Sequence, residues 1–225
     1  MKIKRNKNTD FDNTSAPTLE NEADNKVDKN SKNNKLKKRL TVIIPVILFL
    51  SGLYLLSLVF APKLVPYFKS GDVQKAVDTS LPESGNDRLY IPKLGVNAPV
   101  RAGNAAVMNN GGVWHRYPEL GDPVKGGNFI MSAHRWHTGK TPAETVAQSP
   151  FYNMDRMIIG DSLFVDFEGK RYKYEIYDIE QIKPDQTEIE APLKEGEEPH
   201  LTLYTCTLKG SADGRVVLFA RLINI

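Results

Sequence analysis

The sequence is short of cysteine and of net charge, and each shortage excludes a class of protein. Its 225 residues contain one cysteine, so an internal disulfide framework is excluded, and Cys206 is either a buried spectator thiol or a reactive one. The formal net charge of +3 is too small to indicate a nucleic-acid-binding surface, and basic and aromatic residues do not interleave as a base-stacking surface requires. We therefore expect no nucleic-acid partner.

Long apolar runs are also scarce, and only one run is able to cross a membrane. Residues 40–61 carry no charge, and roughly 22 residues at 1.5 Å each cover a hydrocarbon core of about 30 Å. Four basic residues lie between positions 35 and 39, but only two between 63 and 69. The positive-inside rule therefore predicts a cytoplasmic N-terminus and an extracellular remainder. The length of the run and of the tail before it favour an uncleaved signal-anchor over a cleaved signal peptide.

The composition changes on both sides of this run. Residues 1–39 have few large apolar side chains and predict a disordered cytoplasmic tail. Residues 62–87 mix proline, glycine and charge, which indicates an extracellular stalk with one short helix near residues 72–77. From residue 88 to 225, short apolar groups alternate with proline and glycine, a pattern typical of an all-β barrel or sandwich. We expect one β domain after a single transmembrane helix.

Local patterns place several elements inside the β domain. Residues 128–133 predict a strand that ends at His134, and residues 142–153 are the best place for one short helix. Residues 162–179 predict a hairpin around a Glu-Gly turn. The acidic, proline-containing residues 184–199 predict a long surface loop.

The only cysteine ends a run that reads as a strand. Residues 201–206 combine leucine, threonine and tyrosine, and their alternation puts Cys206 on the opposite face from the leucines. Residues 207–214 contain two glycines and predict a loop, and residues 215–222 predict a second strand. An antiparallel return would set Arg215 beside Cys206 at one rim of a sheet.

Three predicted strand ends therefore carry Cys206, His134 and Arg215. A thiol is mostly protonated near neutrality, and a nearby imidazole supplies the proton transfer or charge that activates it. An arginine is always charged and donates directed hydrogen bonds to an oxyanion. Together they form a set for acyl transfer. An exposed, widely spaced pair gains little from charge separation, so we expect the thiol and imidazole to be neutral at rest.

Other residues compete for these roles. His115 and His200 are alternative bases, although His200 is at the far end of the cysteine strand. Arg135 is the main competitor for the arginine role. His134 and His137 have the spacing of a metal-binding pair, but two histidines without further ligands are weak grounds for zinc, and we expect neither metal nor cofactor.

Several motifs make the sequence recognisable. Residues 202–206 read TLYTC, which resembles the TLxTC signature of sortases, the membrane-anchored cysteine transpeptidases of mainly Gram-positive bacteria. Residues 90–96 (YIPKLGV) are similar to the opening strand of that family, and residues 126–135 (GGNFIMSAHR) are similar to its catalytic-histidine strand. Residues 150–152 (PFY) also fit, so the resemblance covers residues 88–223.

The resemblance implies a sortase-like eight-stranded β-barrel with one or two short helices. It implies that Cys206 attacks an LPxTG-like sorting signal on exported proteins, that His134 acts as acid and base, and that Arg215 holds the substrate and oxyanion. Thr205 is the extra substrate contact that it suggests. The thioacyl-enzyme would be resolved by an amine of a cell-wall precursor or of a pilin.

The subclass is less defined than the family. Ala133 stands where glycine is common, and Leu208 stands where many relatives have proline. The sequence shows no hydrophobic segment after Ile225 and no Asp-Pro-aromatic lid motif, which makes the pilus-polymerising class the weaker expectation.

Two further hypotheses arise. The alternative function is a membrane-tethered β-barrel binding module in which Cys206 is a buried structural residue. In addition, residues 81–85 (LPESG) resemble a sorting signal, and the hypothesis is that they visit the active site as a pseudosubstrate, although such composition is ordinary in a linker.

Overall fold

The N-terminal part of the protein is one long helix, α1 (Glu20–Thr79). The structure is a computed structural model that describes residues 20–224, with side chains described over residues 37–223. Among these residues α1 alone is long and apolar enough to cross a membrane. Residues 1–19 of the predicted tail lie outside the described residues.

The chain divides into two units, Met1–Gly52 and Leu53–Ile225. In the first unit the described residues are helical from Glu20 onward, where the composition predicts a disordered tail. In the second unit the helix continues to Thr79, through most of the predicted stalk. The division into tail, transmembrane segment and stalk concerns a membrane and remains a prediction.

The second half of α1 is helical because one of its faces is covered. Four of its residues are buried, at intervals of four or seven positions: Pro62, Pro66, Val73 and Val77. This spacing matches one face of a helix. Val73 and Val77 pack against Tyr90 of the β domain. Packing of this kind, more than intrinsic propensity, makes a helix persist in a protein. The composition of the predicted stalk does not reveal the covering surface.

The β domain is a closed eight-stranded barrel with a small added strand, which confirms the predicted fold. Its nine strands are β1 (Arg88–Ile91), β2 (Val96–Arg101), β3 (Val113–Arg116), β4 (Gly121–Asp122), β5 (Gly126–Ser132), β6 (Ser162–Phe167), β7 (Lys170–Ile182), β8 (His200–Thr207) and β9 (Gly210–Asn224). The order is β3-β2-β1-β6-β7-β9-β8-β5-β4, and pairing of β3 with β5 closes the barrel. Closure leaves no long unpaired edge among these eight strands.

The barrel interior is filled by alternating side chains from every wall. Its largest fully buried members include Phe129, Leu163, Ile176, Leu201 and Leu203. Because neighbouring residues in a strand point to opposite faces, burial of these side chains turns the residues between them outward. The core thus fixes which side chains of β5 and β8 reach the outer surface.

The hairpin and the short helix that local sequence patterns predict are both present in this domain. The β6–β7 hairpin turns at Glu168 (φ 50°) and Gly169 (φ 78°), as a two-residue turn with two positive φ angles requires. The short helix α3 (Pro142–Gln148) begins with proline in its first turn, and the hydroxyl of Thr141 accepts a hydrogen bond from the Glu144 N–H. It ends before the predicted limit of residue 153. Residues 106–109 form one further turn, α2 (Ala106–Asn109).

The connection from β8 to β9 is tighter than predicted. Instead of a loop over residues 207–214, the chain turns at residues 208–209 and β9 begins at Gly210. Cys206 nevertheless pairs with Arg215, and a register shift follows directly after that pair. The irregular part of the ladder therefore lies beside Cys206.

A hydrogen bond between a side-chain amide and a helix carbonyl also fastens α1 to the β domain. Pro66 has no N–H, so it cannot donate the helical hydrogen bond that the Pro62 carbonyl would otherwise accept. The buried side chain of Asn153 donates to that carbonyl instead, at 2.7 Å. The proline that leaves the carbonyl free and the amide that satisfies it are far apart in sequence and specify the docking position together.

Gly127 should be much less tolerant of a side chain than Gly160. Both have positive φ angles, 84° and 90°, but a Cβ at Gly127 would overlap the Leu120 carbonyl, whereas nothing lies within 4 Å of one at Gly160. Gly160→Ala should lower the free energy of unfolding by about 1 kcal/mol, the ordinary cost of a left-handed residue. Gly127→Ala should cost clearly more, as measured by urea unfolding. Equal losses would contradict this account of the β4–β5 turn.

Candidate active site

The candidate site lies across three neighbouring strands. In the antiparallel ladder of β8 and β9, Cys206 is opposite Arg215. In the parallel ladder of β5 and β8, Ser132 is opposite Tyr204, and His134 follows Ser132 by two residues just as Cys206 follows Tyr204. The register therefore brings the three predicted reactive residues to one rim of the barrel.

Strand alternation also places the three residues on one face. Leu203 and Thr205 are buried on the inner side of β8. Cys206, the residue after Thr205, is half-buried on the outer side. Arg215 and His134 are half-buried as well. Because Cys206 is not in the core, the thiol lacks the burial that the binding-module alternative required of it.

The imidazole of His134 is held by two neighbours. Its Nε2 lies 3.0 Å from Oδ1 of Asn109, and its ring stacks on that of His137 with centroids 4.9 Å apart. Burial lowers the pKa of His134 below its ordinary value, and repulsion from His137 lowers that pKa further. The neutral form of His134 is thus favoured near pH 7, in the direction of the sequence-based expectation.

Arg215 is held by the backbone of the adjoining loop. Its Nη1 donates to the carbonyl oxygens of Ser211 at 2.7 Å and Gly214 at 3.0 Å. Among the side chains that the structure describes, no carboxylate lies within ion-pair distance of this guanidinium. Its charge is therefore uncompensated at the rim, and the guanidinium retains donors for an anionic group.

Thr205 makes a hydrogen bond between two strands. Its side chain is only 2% exposed, and its Oγ1 donates to the carbonyl oxygen of Ala133 at 2.8 Å. It points to the face opposite Cys206, because successive side chains of a strand alternate. The hydrogen bond joins β8 to the end of β5, and the substrate contact expected of Thr205 stays a prediction.

The competing residues do not reach this rim. Arg135 is 3% exposed and pairs with Asp155 at 2.7 Å. His115 is buried against Phe129, and its Nε2 lies 3.1 Å from the Gly121 carbonyl oxygen. His200 begins β8, six residues or about 20 Å from Cys206 along the strand. None of these three side chains is therefore placed beside Cys206 at the rim.

A polar network beside the site is not evident in the sequence. Arg116 forms an ion pair with Glu190 at 2.7 Å, and both contact the hydroxyl of Tyr204, two residues before the cysteine. The guanidinium of Arg116 also lies over the ring of Trp114, 4.6 Å from its centroid. No local signal in the sequence indicates this cluster, because its members come from three separate segments.

The same network fastens the long loop of residues 183–199 over the outer face. Asn128 adds two hydrogen bonds from its side-chain amide, to the carbonyl oxygens of Ile189 at 3.0 Å and Ala191 at 2.9 Å. Beneath it, Ile130, Tyr204 and Val217 form a buried apolar cluster. The loop thus covers the outer face of the sheet next to the strand that ends at Cys206.

A cavity lies elsewhere under this loop. It has a volume of about 610 Å³ and is lined near the start of β8 by residues that include Tyr177, His200 and Phe219. It does not include Cys206, His134 or Arg215. Over residues 37–223, no group of three or more His, Cys, Asp or Glu side chains is placed to hold a metal ion.

Residues 81–85 lie far from the rim. Ser84 is adjacent to Gly169 in the β6–β7 turn, whereas Cys206 is at the level of Ile182, the opposite end of β7. In this conformation the segment does not enter the active site.

His137→Ala should raise the pKa of His134, because it removes the repulsion between the two stacked rings. Burial should still keep that pKa below the ordinary histidine value of about 6.5. NMR titration of isotope-labelled histidines would measure the change, and His200→Ala, which alters a remote histidine, should leave the His134 pKa unchanged. An unchanged or lower pKa in the His137 variant would refute this explanation.

Comparisons with known proteins point to one family. The family model described as "Sortase domain" matches residues 89–223. No curated protein sequence matches the chain significantly. The SrtA sortase from Actinomyces oris is 25% identical with a TM-score of 0.50, over 64% of this chain and 85% of that one.

Two other solved structures share the fold. A sortase D5 transpeptidase from Clostridium perfringens is 21% identical with a TM-score of 0.50, over 77% of this chain and 99% of that one. Sortase C1 from Streptococcus agalactiae is 21% identical with a TM-score of 0.50, over 70% of this chain and 87% of that one. The similar structures come from several sortase classes, so they assign no subclass. The family match covers more than half of the chain, including the strands that carry the candidate site, and the chain belongs to the sortase family.

Proposed function

We propose that the protein is a membrane-anchored cysteine transpeptidase that cleaves an LPxTG-like sorting signal on exported proteins and joins the product to an amine. The observation that carries the proposal is the shared rim: Cys206 is paired with Arg215 across one ladder, and His134 lies two residues beyond the end of the neighbouring strand β5, on the same outer face. Family membership supports the reaction class. The basic residues before the apolar run support a cytoplasmic N-terminus and an extracellular active site.

The first half-reaction forms a thioester. The Cys206 sulfur attacks the carbonyl carbon of the scissile peptide bond as His134 accepts the thiol proton. The guanidinium of Arg215 donates hydrogen bonds to the oxyanion, which carries the negative charge of the tetrahedral intermediate. The C–N bond then breaks, the departing nitrogen takes the proton from His134, and the acyl group stays on sulfur.

The second half-reaction transfers that acyl group. An amine, supplied by a cell-wall precursor or a pilin, attacks the thioester carbonyl through the same oxyanion. His134 takes a proton from the attacking nitrogen and returns a proton to the sulfur as the C–S bond breaks. The net result exchanges one amide for another, so no cofactor or energy source is needed.

The anchored loop beside the rim supports recognition of an extended peptide. Glu190, held by Arg116 and Tyr204, keeps the loop of residues 183–199 in place as a wall next to the strand that ends at Cys206. We assign Thr205 a positioning role, because its hydrogen bond to Ala133 joins the strand of the nucleophile to the strand of the histidine.

Replacement of Cys206 by alanine should abolish transpeptidation completely. Arg215→Ala should lower kcat/KM about 10²- to 10³-fold, the usual loss when an oxyanion donor is removed. Arg221→Ala is the matched control, because Arg221 is also an arginine of β9 but pairs with Glu175 at 2.7 Å, remote from the rim. The assay uses the full chain in detergent, LPxTG-like peptides and an amine acceptor, with the ligated product identified by mass spectrometry.

Two results would refute this assignment. Turnover that survives in the Cys206 variant would exclude a thioester mechanism. An equal loss in the two arginine variants would show that the effect at position 215 is not specific to the rim.

Glu190→Gln should raise KM for the peptide several-fold with a smaller effect on kcat. The substitution keeps the shape of the side chain but removes the charge that Arg116 pairs with, so the loop wall loosens while the reactive residues stay in place. Glu188→Gln is the control, since Glu188 lies in the same short turn and is exposed. Steady-state kinetics would separate the two constants, and a loss confined to kcat would contradict a role in binding.

A further inference from the structure

The hydrogen bond that holds His134 comes from a separate short turn of the chain. Asn109 ends α2, in the connection from β2 to β3, and precedes His134 by 25 positions. Its Oδ1 lies 3.0 Å from Nε2 of the imidazole, an ordinary hydrogen-bond length. The contact therefore joins two parts of the β domain that are distant in sequence.

The chemistry of these two atoms decides which ring nitrogen carries the hydrogen. A side-chain amide oxygen only accepts hydrogen bonds, so Nε2 of His134 must be the donor. A neutral imidazole has one N–H group. With that hydrogen on Nε2, the other ring nitrogen, Nδ1, has a free lone pair. Nδ1 is then the ring atom that is able to accept a proton.

The turn that carries Asn109 is also fastened to the strand that leads to His134. The hydroxyl of Ser132, the last residue of β5, donates to Sδ of Met108 at 3.7 Å. Met108 directly precedes Asn109, and Ser132 precedes His134 by two residues. The amide and the imidazole are thus linked a second time through their immediate neighbours, which limits how far one can move relative to the other.

Contacts before and after α2 hold the turn in place. At its beginning, Oδ1 of Asn104 accepts a hydrogen bond from the Ala106 N–H at 2.9 Å. After its end, Gly111 packs so closely on α3 that a Cβ at this position would lie 2.5 Å from the Ala147 carbonyl oxygen. A turn that is held on both sides presents its last side chain in a fixed direction.

A neutral partner suits an imidazole that must change its charge. Burial lowers the pKa of His134, and the stacked ring of His137, which faces it, lowers that pKa further, so the resting ring is neutral near pH 7. An amide orients this ring without adding a negative charge that would hold a proton on it. When the ring becomes positive, its hydrogen bond to the amide oxygen becomes charge-assisted and stronger.

We propose that Asn109 is a positioning residue that keeps a hydrogen on Nε2 of His134 and so reserves Nδ1 for proton transfer with Cys206. The proposal rests on the proposed transpeptidation and names the atom that performs its acid–base steps. Nδ1 takes the thiol proton as the sulfur attacks, and gives that proton to the departing nitrogen. In the second half-reaction Nδ1 takes a proton from the amine and returns it to the sulfur. Nε2 keeps its hydrogen throughout.

Two charge-matched variants of the full chain in detergent test the contact. Asn109→Asp places a carboxylate beside Nε2 and should raise the pKa of His134, because the negative charge stabilises the imidazolium. Asn110→Asp adds the same charge one residue later, on an exposed side chain, and should raise that pKa clearly less. NMR of ¹⁵N-labelled histidines measures the pKa and also shows which ring nitrogen carries the hydrogen. In the unsubstituted protein that nitrogen should be Nε2.

Two alanine variants test the positioning role in peptide ligation. Asn109→Ala should lower kcat at least about tenfold with little change in KM, because general acid–base catalysis contributes about 10²- to 10⁴-fold and needs an aligned base. Asn110→Ala is the control and should keep the kcat of the unsubstituted protein. Asn109→Asp retains the acceptor oxygen, so it should recover most of kcat, but only above its raised His134 pKa. The acidic limb of its pH profile should therefore move to higher pH.

Three results, obtained while the unsubstituted protein ligates peptides, would overturn the proposal. They are a hydrogen on Nδ1 of the neutral ring, equal pKa changes in the two aspartate variants, and equal kcat in the two alanine variants. Absence of ligation by the unsubstituted protein is a different result, because it would refute the proposed function whatever position of the hydrogen NMR finds. Circular dichroism checks that the variants keep their fold.

Discussion

The pairing of β8 with a parallel neighbour on one side and an antiparallel neighbour on the other is the constraint on which the site depends. Parallel strands end at the same edge of a sheet, and an antiparallel strand begins there, so one rim collects the end of β5, the end of β8 and the start of β9. A slip of one residue would turn the thiol into the core. The buried leucines of β8 and the hydroxyl of Thr205 oppose that slip.

Outside the rim, the molecule relies on polar fastenings between distant segments. Arg116 and Glu190 join the end of β3 to the loop over the outer face of the sheet, and Arg171 joins β7 to both Asp166 and the end of α1. Each member of these networks is partly shielded from water, where a charged hydrogen bond is stronger than on the surface. These contacts hold the loop of residues 183–199 and the end of α1 against the barrel.

The sequence predicts this fold well where a signal is local. Alternation reveals the strands of Cys206 and Arg215, the Glu-Gly pair at position 168 reveals the hairpin, and Thr141–Pro142 reveals the start of α3. The parts that could not be predicted depend on partners far along the chain. Asn109 reaches His134 across 25 positions, and Glu190 reaches Arg116 across 74. The spacing of residues in the sequence does not predict contacts between such distant segments. The composition of residues 62–79 resembles that of a linker. The surface that makes these residues helical belongs to the barrel, so their composition alone does not predict the helix.

The hydrogen bond from Asn153 to the Pro62 carbonyl has a consequence for biogenesis. It makes the last turns of α1 part of the wall of the β domain, since Val73 and Val77 cover Tyr90. The helix is synthesised first, and its apolar face stays uncovered until the barrel strands have been made and have folded. Folding of the β domain is thus the step that covers this face, and a barrel produced without the helix would expose an apolar wall to solvent.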